Sequence, residues 1–394
     1  MKNNRRILIS PLDWGLGHAS RIIPIINRYI ELGDNVIIAG SGLSLELLKK
    51  QFPTLHSIEI PSFKMRYSSG NSQVWAVVKA FPKLIFYSIK EHQVLKRIVK
   101  EENIDFIVSD NRFGLFHNTT PSAYITHQLL IKLPKGWTWL EPFVAFVHRC
   151  IINRFTECWV PDFEDVSESL AGELSHPNKM PRNVKYIGAI SRFSKRCTPY
   201  GRATDGITIT QASPVLRTSD TCLQNRITPY GRETIITDCA RDFIPFGHQY
   251  VSPARLCISK LNIALAYSQN SSLLTPNSSL LTILSGAEPQ RTMFEEELLI
   301  SLQEDQHENI ILVQGKIEAQ QKITKVGKVI VYNYMSAEEL QKNILKADKI
   351  ICRSGYSSIM DLYALGKLQN ATLIPTPGQT EQEYLAEYIS NHIK

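Results

Sequence analysis

Short apolar runs alternate along the chain with longer segments of helical periodicity. Between the first two runs, residues 6–10 and 35–40, apolar residues recur three and four positions apart, and Gly33 follows them as a helix stop. This pattern predicts a strand, a helix and a second strand. Because strand and helix keep alternating, the sheet is expected to be parallel, with right-handed crossovers. Four further runs are predicted as strands of the same sheet: residues 56–61, 105–110, 123–127 and 157–162.

The same alternation returns near the other end of the chain. Ser336 and Glu339 form a capping box, which predicts the start of a helix. Apolar runs predict strands at residues 281–286, 309–315, 328–332, 349–355 and 371–375. The sequence therefore predicts an α/β protein with two doubly wound parallel-sheet domains, residues 1–192 and 280–394. A ligand is expected in the cleft between them, at the carboxyl ends of the strands.

The segment between the two predicted domains differs from both. Residues 197–275 hold four of the seven cysteines, are rich in serine and threonine, and contain the pentapeptide T-P-Y-G-R twice. Their apolar periodicity is weak, so they bury too little apolar surface to offset the entropy of ordering. We predict that residues 193–279 form a linker with a disordered, irregular insertion. A basic, arginine-rich binding arm is the alternative.

Composition narrows the class of protein mainly by exclusion. The 394 residues are 43% apolar and 21% charged, and the formal net charge of +7 is too small an excess to indicate nucleic acid binding. The charge suits an anionic substrate or an anionic membrane surface. No apolar run approaches the ~20 residues of a membrane-spanning helix, and the first residues do not read as a signal peptide. Scattered cysteines without a C-x-x-C pair indicate reduced thiols in a cytoplasmic protein.

The first candidate site is the turn after the first predicted strand, D-W-G-L-G-H-A-S-R at residues 13–21. Gly15 and Gly17 let backbone N–H groups approach a ligand at the start of a helix, where negative charge is favoured. Ser20 stands where a dinucleotide fingerprint has its third glycine, so NAD is not expected. His18 is a candidate general base in the first helical turn, and a capping role is equally open.

Two further candidate sites lie in the second domain. In R-S-G-Y-S-S-I-M-D, residues 353–361, a glycine turn and a helix start would present N–H groups to a phosphate. Asp361 is placed to accept hydrogen bonds from a ribose diol, although a solvated helix residue is the other interpretation. In P-T-P-G-Q-T-E-Q-E-Y, residues 375–384, polar side chains suit sugar hydroxyls, and glutamate in a first helical turn also matches the helix dipole.

Together and in this order, these motifs resemble the GT-B glycosyltransferases of family 28. The family is typified by the N-acetylglucosaminyltransferase that makes the second lipid-linked peptidoglycan precursor. More closely, the chain resembles bacterial relatives that carry D-W-G-L-G-H near the start and P-T-P-G-Q-T-E-Q-E-Y near the end. The resemblance covers about residues 5–195 and 280–392. It implies two Rossmann-like domains facing a cleft, with a nucleotide-sugar donor, UDP-linked in the family, held by the C-terminal domain. Because relatives continue through further helices, the C-terminal domain is expected to be truncated.

The resemblance also implies roles for single residues. The ribose-binding carboxylate of the family, a glutamate there, falls on Asp361. Of the paired glutamines that read the donor sugar, the first falls on Gln382, whereas the second position holds Glu383. The phosphate loop falls on residues 285–291, where Ala287 replaces a serine of the family. The implied donor-binding residues are Gly286, Ala287, Arg291, Arg353, Ser354, Gly355, Tyr356, Ser357, Asp361, Gln379, Thr380, Gln382 and Glu383.

Such enzymes invert configuration at the anomeric carbon. A base deprotonates the acceptor hydroxyl, while N–H groups and a helix N-terminus stabilise the leaving diphosphate. His18 is the first candidate base and Asp13 the second, and no metal or other cofactor is expected because the sequence has no D-x-D pair. The residues predicted on the acceptor side are Gly15, Gly17, Asp110 and His127.

The resemblance does not name the acceptor, and the cellular location is inferred from the aromatic stretch and its charge. The acceptor is an unknown glycan or a lipid-linked sugar. The aromatic stretch at residues 136–149 has basic flanks, so it would touch an anionic membrane, or it would be a core helix with snorkelling ends. The expected location is the cytoplasm, peripheral at the inner face of the cell membrane. Two other functions remain open, namely a nucleotide-sugar 2-epimerase and an inactive nucleotide-binding remnant.

Overall fold

The computed structural model describes residues 4–62, 73–134, 136–194, 278–286, 288–316, 318 and 320–392. Its first sheet has seven strands, all parallel, in the order β3-β2-β1-β4-β5-β6-β7. This order is doubly wound, as predicted. The strands are β1 (Arg6–Pro11), β2 (Asn35–Gly40), β3 (His56–Glu59), β4 (Phe106–Asp110), β5 (Ser122–Ile125), β6 (Glu157–Val160) and β7 (Val184–Tyr186). The predicted insertion at residues 193–279 lies almost wholly outside the described residues.

Four α-helices accompany the first sheet: α1 (Leu16–Glu31), α2 (Gly42–Gln51), α3 (Gln73–Glu101) and α4 (Glu141–Ile152). Short 3₁₀ turns lie at Thr138–Leu140, Val166–Glu168 and Gly172–Leu174. The strand β1 lies near the centre of the sheet, where Ile7, Leu8 and Ile9 are fully buried. Burial on both faces is typical of a parallel sheet that is covered by helices on each side.

The second sheet has six strands in the order β10-β11-β9-β8-β12-β13. They are β8 (Ser279–Ile283), β9 (Asn309–Val313), β10 (Ile323–Val326), β11 (Val329–Tyr332), β12 (Lys349–Arg353) and β13 (Ala371–Ile374). Its helices are α5 (Gln290–Gln303), α6 (Ala337–Lys346), α7 (Tyr356–Ala364) and α8 (Thr380–His392), with a 3₁₀ turn at Leu368–Asn370. The predicted capping box is confirmed, since the Ser336 hydroxyl accepts a hydrogen bond from the Glu339 N–H at 3.2 Å.

One part of the second sheet differs from the prediction of a wholly parallel sheet. The strand β10 pairs antiparallel with β11 at the edge of the sheet, and every residue of β10 is exposed. Gly327 joins the two strands with φ +59, a left-handed conformation that glycine adopts at little cost. Because β10 buries no apolar face, its sequence carries no apolar run that would have predicted it.

The last helix of the described chain packs against the first half of the molecule. The Thr380 hydroxyl donates to the Lys132 carbonyl at 2.7 Å, and the Tyr388 hydroxyl donates to the Ser169 carbonyl at 3.1 Å. The Tyr384 hydroxyl accepts the Glu173 N–H at 2.8 Å. These contacts hold α8 against residues 132–173 of the first half. No described helix is long and apolar enough to cross a membrane.

Candidate active site

Two neighbouring strands of the first sheet bring together a histidine and an aspartate that are far apart in sequence. Asp110 is the last residue of β4 and pairs in register with Pro11 at the end of β1. The chain then turns into α1, whose first turn carries His18. The Nδ1 atom of His18 lies 3.1 Å from Oδ1 of Asp110. Both residues were predicted on sequence grounds, and the structure places them in contact.

A buried arginine completes this pair. The Nε atom of Arg21 donates to Oδ2 of Asp110 at 2.9 Å, and Nη2 donates to Oδ1. The same Nη2 lies 2.9 Å from Nδ1 of His18. Burial by itself would raise the pKa of the Asp110 carboxyl, but Arg21 and His18 outweigh burial and lower that pKa to about 2. Asp110 is therefore a fixed anion at neutral pH.

A second histidine and carboxylate meet between the two halves of the chain. The Nε2 atom of His127, just beyond β5, lies 2.7 Å from Oε1 of Glu381 in the first turn of α8. The His127 ring stacks on Tyr356 at 4.0 Å between centroids, and the Tyr356 hydroxyl donates to the Pro161 carbonyl at 2.8 Å. Burial lowers the pKa of His127 although Glu381 opposes the shift. Burial would raise the pKa of Glu381, but His127 holds it below its usual value.

The two pairs present opposite members to solvent. In the first pair the carboxylate of Asp110 is fully buried, whereas the side chain of His18 is 20% exposed. In the second pair His127 is 4% exposed and Glu381 is 34% exposed. The solvent-exposed members are therefore an imidazole held by a buried anion and a carboxylate held by a buried imidazole. The first can take up a proton, and the second can accept hydrogen bonds from hydroxyl groups.

Asp13, the second predicted base, is engaged elsewhere. Its Oδ1 accepts the Ser44 N–H at 3.2 Å, and its Oδ2 is 3.5 Å from the Ser41 hydroxyl. These groups lie at the start of α2, where a carboxylate satisfies free backbone donors. The geometry therefore gives Asp13 a capping role and leaves His18 as the base candidate in this turn.

The glycine turn meets the start of α7. The Ser357 hydroxyl donates to the Gly17 carbonyl at 3.0 Å, and a Cβ atom on Gly17 would lie 3.1 Å from that hydroxyl oxygen. Gly15 and Gly355 are the N-cap residues of α1 and α7, and neither helix has a side-chain cap. Two uncapped helix N-termini therefore lie close together, and both favour negative charge.

The predicted ribose carboxylate lies against the end of the first half of the chain. Asp361 is buried, its Oδ1 accepts the Ser191 hydroxyl at 2.7 Å, and its Oδ2 lies 3.1 Å from Nε of Arg192. Burial raises the pKa of Asp361 despite the Arg192 guanidinium. Asp361 is therefore no solvated helix residue. Arg192, whose side chain is 30% exposed, adds a cation that the sequence did not predict.

The residues predicted to bind the donor sugar in the C-terminal motif make hydrogen bonds within the motif itself. Gln382 accepts the Thr376 N–H at 2.9 Å and donates to Oε1 of Gln379 at 2.6 Å. Glu383 accepts the Gly378 N–H at 2.9 Å. The polar ends of these side chains thus hold the loop before α8, and Glu381 is the residue of the motif whose carboxylate faces the first half of the chain.

The predicted phosphate-side arginines are both buried in local contacts. Arg291 donates to Oε1 of Glu288 at 2.8 Å and to Oε2 of Glu295 at 3.1 Å. Arg353 donates to the Pro375 carbonyl at 2.8 Å and stacks on Phe294, 3.7 Å from the ring centroid, and burial lowers its pKa to about 10. Both arginines therefore stabilise the fold locally. Of the other predicted donor-binding residues, Gly286 has φ +108 in the loop after β8. The Ser354 hydroxyl donates to the Gln382 carbonyl at 2.8 Å. Ala287 lies outside the described residues.

Three residues of the site were missed on sequence grounds, and each left a different signal. Arg21 lies three positions after His18, so the two share a helix face, which the spacing alone indicates. Glu381 was not singled out, because the neighbouring Gln379, Gln382 and Glu383 of the same motif were chosen instead. Arg192 ends the first predicted domain, and nothing in its surroundings pointed to Asp361, because the two are 169 positions apart.

The comparisons with known proteins bear on the fold and on the C-terminal part of the chain. Residues 285–394 match the glycosyltransferase family 28 C-terminal domain. Among solved structures, the calicheamicin glycosyltransferase CalG4 is similar with a TM-score of 0.53 and 9% identity, over 99% of this chain and 84% of that one. A UDP-glucosyltransferase from Polygonum tinctorium has a TM-score of 0.51 and 11% identity, over 100% and 84% of the two chains. The chain matches no curated protein sequence.

At such identities the likeness to solved structures is one of fold. It agrees with the two parallel-sheet halves described above, and the chain has the α/β GT-B fold with two Rossmann-like domains. The predicted fold class is confirmed. The family match covers the C-terminal part of the chain and includes the segment that carries Tyr356, Asp361 and Glu381.

Proposed function

We propose that the chain is an inverting glycosyltransferase that moves a sugar from a nucleotide-sugar, UDP-linked, to a hydroxyl group of an acceptor. The observation that carries the proposal is the contact of His18 with buried Asp110, beside a C-terminal part that matches a glycosyltransferase domain. A histidine that is oriented by a buried carboxylate suits a general base. A cleft between two Rossmann-like domains suits a nucleotide-sugar.

In the proposed reaction, Nε2 of His18 takes the proton of the acceptor hydroxyl. The acceptor oxygen forms a bond to the anomeric carbon as the bond from that carbon to the diphosphate oxygen breaks. The bonding electrons leave with the nucleoside diphosphate, and the configuration inverts because attack and departure occur on opposite faces. Asp110 then faces the imidazolium that has formed and stabilises it.

On the donor side, the uncapped N-terminus of α7 provides positive potential for a departing diphosphate, whereas the charge of Arg192 is balanced by Asp361. Asp361 is the ribose candidate, and it would exchange its bond with Ser191 for bonds from the diol. Glu381 is the sugar-facing carboxylate, because a carboxylate accepts from hydroxyl groups and repels phosphate. Gln382 and Glu383 support the loop that positions it.

We also propose that the acceptor is presented by an anionic membrane. Trp139, Phe143 and Phe146 are 72%, 64% and 53% exposed around the start and middle of α4. Arg149 lies over the Phe146 ring at 5.7 Å, so the aromatic surface has a cationic border. Exposed aromatic rings with basic residues beside them suit the interface of an anionic bilayer.

A binding and turnover experiment tests the proposed reaction. UDP-, GDP- and dTDP-sugars would be titrated by calorimetry, and release of free nucleotide would then be followed with candidate acceptors. We expect His18→Gln to lower turnover by roughly 10²- to 10⁴-fold while nucleotide binding persists. His56→Gln is the matched control, since His56 is an exposed histidine on β3. Equal turnover in wild type and His18→Gln would refute the role of His18.

Other outcomes decide the donor site and the reaction class. Failure of every nucleotide-sugar to bind the wild-type chain would refute the donor site, and binding that Asp361→Asn leaves unchanged would remove the ribose role. Asp348→Asn, at an exposed position of the same half, is the matched control. A change at the hexose without any acceptor would identify a 2-epimerase instead.

For the membrane surface, Phe143→Ser with Phe146→Ser should abolish sedimentation with phosphatidylglycerol vesicles. Unchanged sedimentation would refute that surface.

A further inference from the structure

Glu381 carries a negative charge where the two halves of the chain meet. Among the residues that the structure describes, His127 alone forms an ion-pair contact with it, at 2.7 Å between Nε2 and Oε1. Burial lowers the pKa of His127, which favours the neutral ring. Burial would raise the pKa of Glu381, but His127 outweighs burial and keeps the carboxyl ionised at neutral pH. His127 therefore donates a hydrogen bond to this anion without cancelling its charge.

The neighbouring ion pair does not offset the charge of Glu381 either. Asp110 and Arg21 bind each other as an anion and a cation, so their charges cancel. His18 and Arg21 also act electrostatically on Glu381, which shows that the carboxylate lies near this pair. Because the groups are largely buried, their fields are weakly screened. A second anion placed beside Glu381 would therefore be unfavourable.

The start of α7 lies two contacts away from this carboxylate. Tyr356 is the first residue of α7, and its ring stacks on the ring of His127 at 4.0 Å between centroids with an angle of 7° between the planes. His127 in turn holds Glu381. In the proposed function the diphosphate of the donor binds at the N-terminus of α7. The sugar is the next group along such a donor, so it is the part that meets Glu381.

We infer that Glu381 selects the donor sugar: its carboxylate accepts hydrogen bonds from the hydroxyl groups of a neutral sugar and rejects a uronic acid, and His127 is the residue that positions it. The inference rests on the proposed function, because it names the class of sugar taken at the same donor site. Glu381 is 34% exposed, which lets it reach a ligand, whereas His127 is 4% exposed. Nδ1 of His127 has no hydrogen-bond partner among the described residues, so the ring serves Glu381 through Nε2.

Calorimetric titration of the full chain with UDP, UDP-glucose and UDP-glucuronate tests the selection. The two sugars differ only in the charged group at carbon 6, and UDP-galactose with UDP-galacturonate repeats the comparison in another configuration. We expect the neutral sugar to bind roughly 10- to 100-fold more tightly than the uronate, as for like charges several ångström apart in a partly buried site. In Glu381→Gln this preference should largely disappear while UDP itself binds as before. Glu387→Gln, at an exposed position of the same helix, is the matched control and should keep the preference.

A second pair of variants tests the positioning role of His127. His127→Phe keeps a ring against Tyr356 but removes the hydrogen bond to Glu381. We expect it to weaken binding of UDP-glucose roughly 10-fold and to leave binding of UDP unchanged, since the carboxylate loses its fixed orientation. The uronate should still be rejected, because the charge remains. His127→Gln, whose amide can donate to Glu381, should restore binding of UDP-glucose. A loss shared equally by UDP and UDP-glucose would show a structural role and overturn the positioning role.

The outcomes for the inference and for the proposed function are distinct. If UDP binds but the wild-type chain takes neutral sugar and uronate equally well, selection by Glu381 is overturned and the donor site stands. The same holds if Glu381→Gln keeps the wild-type preference. Should the chain bind GDP in place of UDP, GDP-mannose and GDP-mannuronate form the pair to compare. If no nucleoside diphosphate binds, the donor site is refuted and the inference falls with it.

Discussion

Replacing Asp110 with asparagine should remove a defined pH dependence from the stability of the fold. Asp110 is fully buried, and its carboxylate holds Arg21 through two hydrogen bonds beside His18. Burial would by itself raise the pKa of this carboxyl, so a pKa of about 2 means that Arg21 and His18 outweigh burial. The net favourable interaction of the carboxylate with Arg21 and His18 stabilises the folded state whenever Asp110 is ionised.

The size of the effect follows from the pKa. The ordinary pKa of this carboxyl is 3.8, and its pKa in the folded protein is about 2. At 1.36 kcal/mol per unit this corresponds to about 2 kcal/mol. Because the folded pKa is the lower of the two, the contribution is fully present above about pH 4. It is lost as the pH falls through the interval between the two values.

Urea unfolding at several pH values between 7 and 2 measures this contribution. At pH 7 we expect Asp110→Asn to lose about 3–5 kcal/mol of unfolding free energy, since Arg21 stays buried without its anion. Between pH 4 and pH 2 the wild type should lose about 2 kcal/mol more than the variant, so the two curves converge. Glu31→Gln, at an exposed position, should run parallel to the wild type. Parallel curves for wild type and Asp110→Asn in this interval would refute the reasoning.

Two further changes test how the fold is held. Gly172→Ala should lower the melting temperature and loosen α8, because a Cβ atom there would lie 2.5 Å from the Tyr384 hydroxyl and φ is +53. Differential scanning calorimetry and hydrogen exchange of α8 check this, and unchanged exchange would contradict it. Ser336→Ala should cost roughly 1 kcal/mol through loss of the capping box of α6, measured by urea unfolding, whereas a threonine there should retain most of the stability.

The fold was largely predictable because apolar runs record burial. The strand β2 was predicted with its observed bounds, since it is buried at five of its six positions. The strand β10 was not predicted, because all four of its residues are exposed and its place depends on backbone pairing with β11. Local pattern therefore predicted the strands that carry apolar runs, including the edge strands β3 and β13, and missed β10, whose residues are all exposed.

Single residues of the candidate site could be predicted from the sequence, but the contacts between them could not. His18 and Asp110 were each singled out at the carboxyl end of a strand, but they are 92 positions apart and only the strand order makes β1 and β4 neighbours. Glu381 was overlooked in favour of the polar residues beside it. The reason is that helix phase decides which of several consecutive side chains faces the cleft, and the exact start of a helix is the least certain feature of a sequence pattern.

Buried and exposed charges occupy different places in the candidate site. The cation of Arg21 is neutralised by Asp110 and is buried, so it does not attract a phosphate directly. The positive potential lies instead at the uncapped N-terminus of α7, since Arg192 is paired with Asp361, while the exposed carboxylate of Glu381 lies beside His127. A donor would therefore be oriented by opposite fields at its two ends. In the proposed reaction its diphosphate would be drawn to the α7 side, and Glu381 would accept hydrogen bonds from its hydroxyl groups.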